Sequence, residues 1–460
     1  MKKSILFCFL SITHLFFGQI RLSDVSLELK KNSDFHQLVT QENQNTKEIF
    51  SFVADKEKFI GIKFNSAIFF SDSISLKRPF NYRFLMGCGF TSLNNPIAYW
   101  TSEDLKSFVG IEFDFKTHAT KKVLYPLDLS KNTLFTQFYV NHTLYFLTEE
   151  KETKSIQLIG LKGHEITTTT LNFSEFQITN SKNNNTNLSA LLHEYGLTKM
   201  EDQLFNSYLN ATPPIKYYLR KNTLILTLDQ NLSKTQIFEI DLSHFQIQEI
   251  IFNKSDLPNS SASNSLLYQN RLVQLMLNSE KLEIEFFDYS TKEKIKQYTI
   301  ATETSSPFPS DFLIQTGNNS PTTLKNSKKF IKKLQNSDLG ASLYCSNGNY
   351  IATFGGYTEH IRSSAMLLDI GLQMAGAGGG DLLGSYVNQN IFFDVQLDPN
   401  FNSVDTSFEP LYIDKIAQFT AQNNVNYETI FPYKDFFIMS YYDSKKEEIV
   451  LTKFTNGYDY

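Results

Sequence analysis

The chain has 460 residues, among them 41 phenylalanines and 23 tyrosines but only 20 glycines. Its net charge of −5 becomes −7 if Lys2 and Lys3 leave with a cleaved leader. This acidic surplus excludes a general affinity for nucleic acid, because the phosphate backbone demands a basic surface. Since no Pro-rich or Gly/Ser-rich linker divides the chain, we expect a single domain over residues 19–460 despite its length.

The first 18 residues predict a secretory signal peptide. Lys2 and Lys3 precede an apolar run over residues 5–17, which is the charged start and short hydrophobic segment of such signals. The run is too short to span a membrane, and no second run of spanning length follows. Cleavage after Gly18 would leave Gln19 as the mature N-terminus. We therefore expect an exported protein, periplasmic or extracellular, without a transmembrane segment.

The rest of the chain repeats one pattern: an alternating apolar segment, a polar turn and a second alternating segment. First segments begin near Phe59, Ile97, Leu144, Leu224 and Leu272, at intervals of 38, 47, 80 and 48 residues. The copies cover residues 55–76, 97–115, 141–161, 221–242, 269–289 and 433–454. A seventh copy is split between residues 348–356 and 388–398. The three short intervals match the unit length of repeat folds built from four-stranded sheets.

In this spacing the chain resembles β-propellers in general, although the WD, kelch and RTX signatures are missing as regular features. The resemblance implies an all-β propeller with short helical insertions and seven blades, six or eight being alternatives. Two stacked β-sandwiches would give similar strand and turn spacing. The constant spacing favours the propeller, and residues 20–30 alternate well enough to supply the strand that closes the ring. We place the insertions at about 180–200, 305–340 and 357–388.

Two insertions have unusual composition. Residues 366–386 hold six glycines, but neither the G-x-G-x-x-G fingerprint nor the Gly-Lys-Ser/Thr motif of phosphate loops is present. Residues 324–340 predict a helix, with Ser327 as its cap and Phe330, Ile331 and Leu334 as its apolar stripe. Five lysines between 325 and 333 make this segment the one basic patch, which could contact an acidic partner or anionic lipid, or simply be the solvated helix face.

Three sets of residues are candidates for sites. For binding we single out the insertions, with charged residues and with groups for stacking or hydrogen bonding: Lys328, Lys329, Lys332, Lys333, Tyr357, His360 and Tyr386. Residues 398–409 match a calcium loop at Asp398, Asn400, Asn402 and Glu409 but lack its glycine. The two interpretations are a calcium site and a plain polar turn, and apart from calcium we expect no cofactor. Cys88 and Cys345 could form a disulfide or remain free thiols.

Two functions remain open. The first is a non-catalytic scaffold, monomeric, whose insertions share a face and bind a protein or glycan partner. The second is a secreted hydrolase acting on polysaccharide, with acidic residues gathered in the central channel. Fold analogy cannot choose between them, because propellers host both. Carboxylates converging in the channel would favour the hydrolase, and a plugged channel would favour the scaffold.

Overall fold

The predicted hairpins recur as four-stranded antiparallel sheets. The computed structural model describes residues 20–30, 33–358, 388–404 and 408–457. The leader, most of the glycine-rich insertion, His360 and Tyr386 lie outside these residues. Within them, seven sheets have four strands or more.

The first three sheets follow one another with short connections. Sheet I contains β2 (Gln37–Glu42), β3 (Ile49–Ala54), β4 (Lys58–Phe64) and β5 (Phe70–Lys77), after a 3-10 turn at Ser33–Phe35. Sheet II contains β6 (Phe84–Phe90), β7 (Pro96–Thr101), β8 (Phe108–Asp114) and β9 (Ala119–Tyr125). Sheet III contains β10 (Asn132–Val140), β11 (Thr143–Glu150), β12 (Ile156–Lys162) and β13 (Glu165–Thr170).

A longer connection precedes sheets IV and V. It holds the small hairpin β14 (Ile178–Thr179) and β15 (Asn185–Thr186), then helix α1 (Leu188–Tyr195). Sheet IV contains β16 (Thr198–Met200), β17 (Ile215–Arg220), β18 (Thr223–Leu228), β19 (Lys234–Asp241) and β20 (Ile247–Asn253). Sheet V contains β21 (Ala262–Tyr268), β22 (Arg271–Leu277), β23 (Lys281–Asp288) and β24 (Lys294–Ala301).

The last two sheets carry the remaining helices. Sheet VI contains β25 (Leu313–Thr316), β26 (Thr322–Thr323), β27 (Asp338–Ser346), β28 (Asn349–Thr358), β29 (Gln389–Leu397) and β30 (Ser403–Val404), with helix α2 (Ser327–Leu334) before β27. Helix α3 (Tyr412–Gln422) leads to sheet VII, which contains β31 (Asn426–Tyr433), β32 (Phe436–Asp443), β33 (Glu448–Phe454) and β1 (Ile20–Ser26). No helix of the described residues is long and apolar enough to cross a bilayer.

Burial explains why the middle strands gave the strongest sequence signal. The second and third strands of each sheet lie between neighbouring sheets, so β3 and β7 are buried at every position. The outer strands face solvent, and β9 and β13 are mostly exposed and polar. Five hydrophobic clusters join neighbouring sheets around the molecule, I to II, II to III, III to IV, IV through VII, and VII back to I. The predicted propeller is thus confirmed as the fold.

The N-terminal strand closes the ring as predicted. β1 pairs antiparallel with β33, from Ile20 opposite Lys453 to Ser26 opposite Glu448. The first segment of the described chain therefore forms the outer edge of the last sheet. Sheet VII therefore combines strands from the beginning and the end of the described residues.

One hairpin was assigned to the wrong pair of strands. Residues 55–76 form β4 and β5, the third and fourth strands of sheet I, whereas the copies in later sheets form the second and third strands. The equivalent second strands begin at residues 49 and 96, so their spacing is 47 residues rather than 38. The error arose because β3 and β4 are both apolar and nearly fully buried.

Candidate functional site

All three predicted insertions leave the sheets at the same end. Asp338, at the start of β27, pairs with Tyr357 near the end of β28, and Thr358 pairs with Gln389 at the start of β29. The connections 171–214 and 302–337 likewise run from an outer strand to the inner strand of the next sheet, which begins at this end. We call this end the insertion face. The opposite face carries the short turns after the first and third strands.

Residues 198–212, the channel segment, lie inside the ring against the inner strands of sheets IV, V and VI. β16 pairs in parallel with β17, the inner strand of sheet IV, so it runs inside the ring towards the opposite face. At that end the Asp202 carbonyl accepts a hydrogen bond from Gln269 N of sheet V. The segment then returns past Phe205, whose backbone N donates to the Tyr412 hydroxyl at 3.2 Å. Its Ala211 carbonyl accepts from Asn264 Nδ2 at 2.9 Å.

Carboxylates do not gather in this channel. The seven inner strands of the described chain contribute only Glu42, Asp338 and Glu428. Glu42 ends β2 at the opposite face and pairs with Lys47, whereas Asp338 begins β27 at the insertion face. The channel segment adds two carboxylates. Both are neutralised, Glu201 by Lys199 at 2.6 Å and Asp202 by Arg220 at 2.5 Å. The pattern expected of a channel hydrolase is not found in these strands.

Glu149 fastens the first insertion to sheet III. Its side chain is 1% exposed, and its Oε2 accepts from Ser189 Oγ at 2.9 Å and from His193 Nε2, both on helix α1. Lys154 Nζ lies 3.2 Å from Oε1. Burial alone would raise the pKa of Glu149, but these bonds hold it below its ordinary value. In a nucleophile triad the histidine lies between the serine and the carboxylate. Here Ser189 and His193 bind the same oxygen of Glu149, so the histidine is not placed between the other two groups.

A second buried network joins sheets IV and V near the insertion face. Asp229 is 1% exposed, with Lys216 Nζ at 3.1 Å and Lys254 Nζ at 3.4 Å. Thr235 and Ser265 each donate a hydroxyl hydrogen bond to its carboxylate at 2.7 Å. Burial would raise the pKa of Asp229, but the two ammonium charges hold it at about 2. The network is closed to solvent, so its role is to fix neighbouring sheets.

Helix α2 presents the predicted lysines on the insertion face. Phe330, Ile331 and Leu334 are fully buried, and Lys325, Lys328, Lys329, Lys332 and Lys333 are exposed. The helix is shorter than residues 324–340. Its cap is Asn326, whose side chain accepts from Lys329 N at 3.1 Å, and not Ser327, which is buried as the first helical residue. The apolar stripe is confirmed.

Two unpartnered buried hydroxyls belong to sheet VI and to the channel segment beside it. Phe354 and Phe393 of sheet VI contact aromatic rings of sheet V or helix α2, so alternate residues point to the other side of the sheet. On that side Thr353 Oγ1 donates to Asp394 at 2.6 Å, and burial raises the pKa of Asp394. Ser342 Oγ and the Tyr208 hydroxyl are buried without a hydrogen-bond partner. Tyr357 lies on the same strand as Thr353, at the insertion face.

The calcium-like residues form a turn. Asp398 Oδ1 accepts from the backbone N of Asn400 and Asn402, both at 2.8 Å. Asp114 and Asp288 accept backbone hydrogen bonds in the same way at the equivalent turns of sheets II and V. Glu409 accepts instead from Asn347 Nδ2 at 2.7 Å. No group of three or more His, Cys, Asp or Glu suited to a metal occurs in the described residues. Calcium binding stays a prediction.

The possible disulfide is not formed. Cys88 and Cys345 are both free thiols. They lie on the inner strands of sheets II and VI, which are not neighbours in the ring, and Cys88 packs in the cluster between sheets I and II. Burial raises the pKa of the Cys88 thiol, which suits an inert core residue.

The sequence did not reveal the channel segment or the two buried networks. One signal was available, because Lys216 interrupts an apolar strand and an unpaired charge is rarely buried. Its partners Asp229 and Lys254 stand 13 and 38 positions further along, and no local pattern joins them to it.

Comparisons with known proteins assign this chain to no family. No family model matches the chain, and no curated protein matches it. The solved propeller of Dos1 is similar at 7% identity and a TM-score of 0.29, covering 96% of this chain and 97% of that one. An uncharacterized protein, lmo1340 of Listeria monocytogenes EGD-e, is 10% identical with a TM-score of 0.32 over 92% and 97%. Synechocystis apocarotenoid oxygenase is 7% identical with a TM-score of 0.28, and the chain covers 63% of its length.

Proposed function

We propose that this chain is an exported, non-catalytic β-propeller that binds a protein or glycan through its insertion face. The observation that carries the proposal is the channel segment 198–212, which packs along the inner strands of sheets IV, V and VI, where a propeller enzyme would present catalytic groups. The long connections meanwhile place many side chains at one end of the molecule. Insertions on one face of a repeat fold commonly form its binding surface.

Two features support a surface role for these insertions. Helix α1 is held by Glu149, and helix α2 is held by its buried apolar stripe. Both helices are therefore rigidly placed rather than free to rearrange, which lowers the entropic cost of binding. The alternative, a polysaccharide hydrolase in the channel, requires converging carboxylates, and the inner strands contribute only three, two of them at opposite ends.

Binding and turnover can be measured on one preparation. Purified mature protein is applied to an array of defined glycans and assayed for release of reducing ends from the same polysaccharides. We expect binding without product release. Hydrogen exchange with the best ligand should show protection in residues 181–195 and 302–334 but not in turns of the opposite face. Product release that Glu428→Gln or Asp394→Asn abolishes would contradict the proposal.

Export is tested separately. We expect the periplasm or culture medium to contain a chain that begins at Gln19, as N-terminal sequencing would report. A full-length chain retained in the cytosol would contradict the signal-peptide prediction. This result would not by itself affect the binding proposal.

A further inference from the structure

The lysines of helix α2 form a regular stripe. Lys328, Lys329, Lys332 and Lys333 lie on one face of the helix, and Lys325 comes just before its cap, Asn326. All five are exposed, and none forms a salt bridge with another described residue. Many other lysines of this acidic protein are paired with carboxylates. The stripe is therefore a local cationic surface on a chain whose net charge is −5.

This stripe weakens the helix that carries it. Two pairs of lysines within the helix, Lys328 with Lys332 and Lys329 with Lys333, have i, i+4 spacing, and like charges at that spacing are destabilising by about 0.2–0.5 kcal/mol per pair. The first turn contains no acidic residue, although the helix dipole favours negative charge there. The helix is maintained instead by Phe330, Ile331 and Leu334. Local stability thus gives no reason for Lys328 and Lys329, whereas Lys332 and Lys333 in the last turn suit the helix dipole.

The same burial argues against membrane insertion. An amphipathic helix that binds a bilayer inserts its apolar face among the lipids. Here Phe330 stacks on Phe312 with ring centroids 4.2 Å apart and also contacts Phe393. The apolar face is already used inside the protein. What remains exposed is charge alone, which suits a soluble polyanion.

A hydroxyl-lined groove lies at the start of helix α2, beside Lys325. It has a volume of about 230 Å³, and its lining includes Thr304, Ser305, Ser306, Ser310 and Asp311. Hydroxyl and amide groups donate and accept hydrogen bonds, as sugar hydroxyls do. Asp311 is the single acidic residue of this lining. Peptide carboxylates would use the lysines, but a polysaccharide would use the lysines and the groove together.

We propose that helix α2 and this groove bind an anionic polysaccharide, with its sulfate or carboxylate groups on the lysines and its hydroxyls in the groove. This inference rests on the proposed binding function and names its ligand class. The attraction between exposed charges is screened within about 10 Å at 0.1 M salt. Affinity should therefore fall steeply as the salt concentration rises.

The test compares two quadruple variants with the same change in charge. One carries Lys328→Glu, Lys329→Glu, Lys332→Glu and Lys333→Glu. The control carries Lys116→Glu, Lys162→Glu, Lys221→Glu and Lys292→Glu, four exposed lysines at or beside turns of the opposite face. The probes are dextran sulfate, polygalacturonate, neutral dextran, polyglutamate and vesicles containing phosphatidylserine. A third variant, Thr304→Ala with Ser305→Ala and Ser310→Ala, removes groove hydroxyls.

We expect wild-type protein to bind dextran sulfate or polygalacturonate at low salt, and the helix variant to bind about tenfold more weakly or worse. The control should match wild type, and the groove variant should lose affinity for polysaccharide only. Which of the two polymers binds more tightly distinguishes sulfate from carboxylate recognition. Equal affinity for polyglutamate, binding to the vesicles, or no binding of wild type at low salt would each overturn the inference. Binding of neutral glycans alone would overturn it while leaving the proposed function intact.

Discussion

Asp229 shows how one buried side chain can hold two sheets together. It lies between Lys216 and Lys254, and the side chains of all three are 0% exposed. Asp229→Asn would leave two buried ammonium groups without a counter-charge. Breaking a buried ion pair in this way costs about 3–5 kcal/mol. Urea unfolding should show this loss for Asp229→Asn and almost none for Asp256→Asn, an exposed control. Equal stability of the two variants would refute the structural role of the network.

The bonds of Glu149 predict a pH dependence. They lower its folded pKa despite burial, so the carboxylate stabilises the protein above its unfolded pKa of about 4.3. That stability is lost as the pH falls through the lowered pKa. Glu149→Gln should thus cost about 1–3 kcal/mol at pH 7, and the difference from wild type should shrink below about pH 4.

Thermal unfolding between pH 3 and pH 7 measures this difference. Glu175→Gln is the matched control and should follow wild type throughout, because Glu175 is exposed in the connection 171–214 that Glu149 holds to sheet III. A gap between Glu149→Gln and wild type that stays constant over the whole range would rule out the carboxylate as its source.

At the scale of elements, Gly340 allows the channel segment to pass close to β27. A Cβ atom here would lie 2.2 Å from the Tyr208 carbonyl oxygen, which is backbone and cannot rotate away. Gly340→Ala should therefore displace the segment and destabilise the protein by about 1–3 kcal/mol. Ser342→Ala, on the same strand, removes a buried hydroxyl that has no partner and should be neutral or slightly stabilising. Chemical denaturation of both variants measures these changes in stability. An unchanged free energy of unfolding for Gly340→Ala would contradict the close packing of the channel segment on β27.

The sequence predicted those elements whose signal is local. Hairpins such as residues 141–161 and the apolar stripe of helix α2 are local patterns, because two apolar strands flank a polar turn and the helix is buried along a fixed period. The assignment of residues 55–76 failed where two adjacent strands are equally apolar. The sequence left the calcium-like loop open between a metal loop and a plain polar turn because Asp398 suits both patterns, and the hydrogen bonds of Asp398 show the turn.

The channel segment could not be predicted because its partners are distant in sequence. Residues 198–212 contact Gln269, Gly340 and Tyr412, and no periodicity within the segment records those contacts. The one indication was the 80-residue interval between the copies at Leu144 and Leu224. It showed that extra chain had to be accommodated but not where. The polar contacts of Glu149 and Asp229 also join residues that are distant in sequence, so they could not be predicted either.

At the scale of the whole molecule, stability depends on closure of the ring by β1. Deleting residues 20–26 would leave β33 unpaired at the outer edge of sheet VII. Because several backbone hydrogen bonds are lost together, we expect destabilisation on the order of 3 kcal/mol or more and a lower Tm. Arg21→Ala keeps the strand but removes its ion pairs with Asp24 and Glu448, and it should cost at most about 1 kcal/mol. Similar Tm values for the deletion and wild type would contradict closure by this strand.

The most direct test is hydrogen–deuterium exchange of the native protein. It measures whether the channel segment is packed inside the ring, on which the assignment of function to the insertion face depends. The amides of β16 pair with β17 inside the ring and should exchange as slowly as those of the inner strands. Peptides covering residues 198–212 should accordingly remain protected after those of the exposed turns have exchanged fully. Exchange of these peptides at the rate of exposed turns would mean an open channel, and it would return the channel to consideration as an active site.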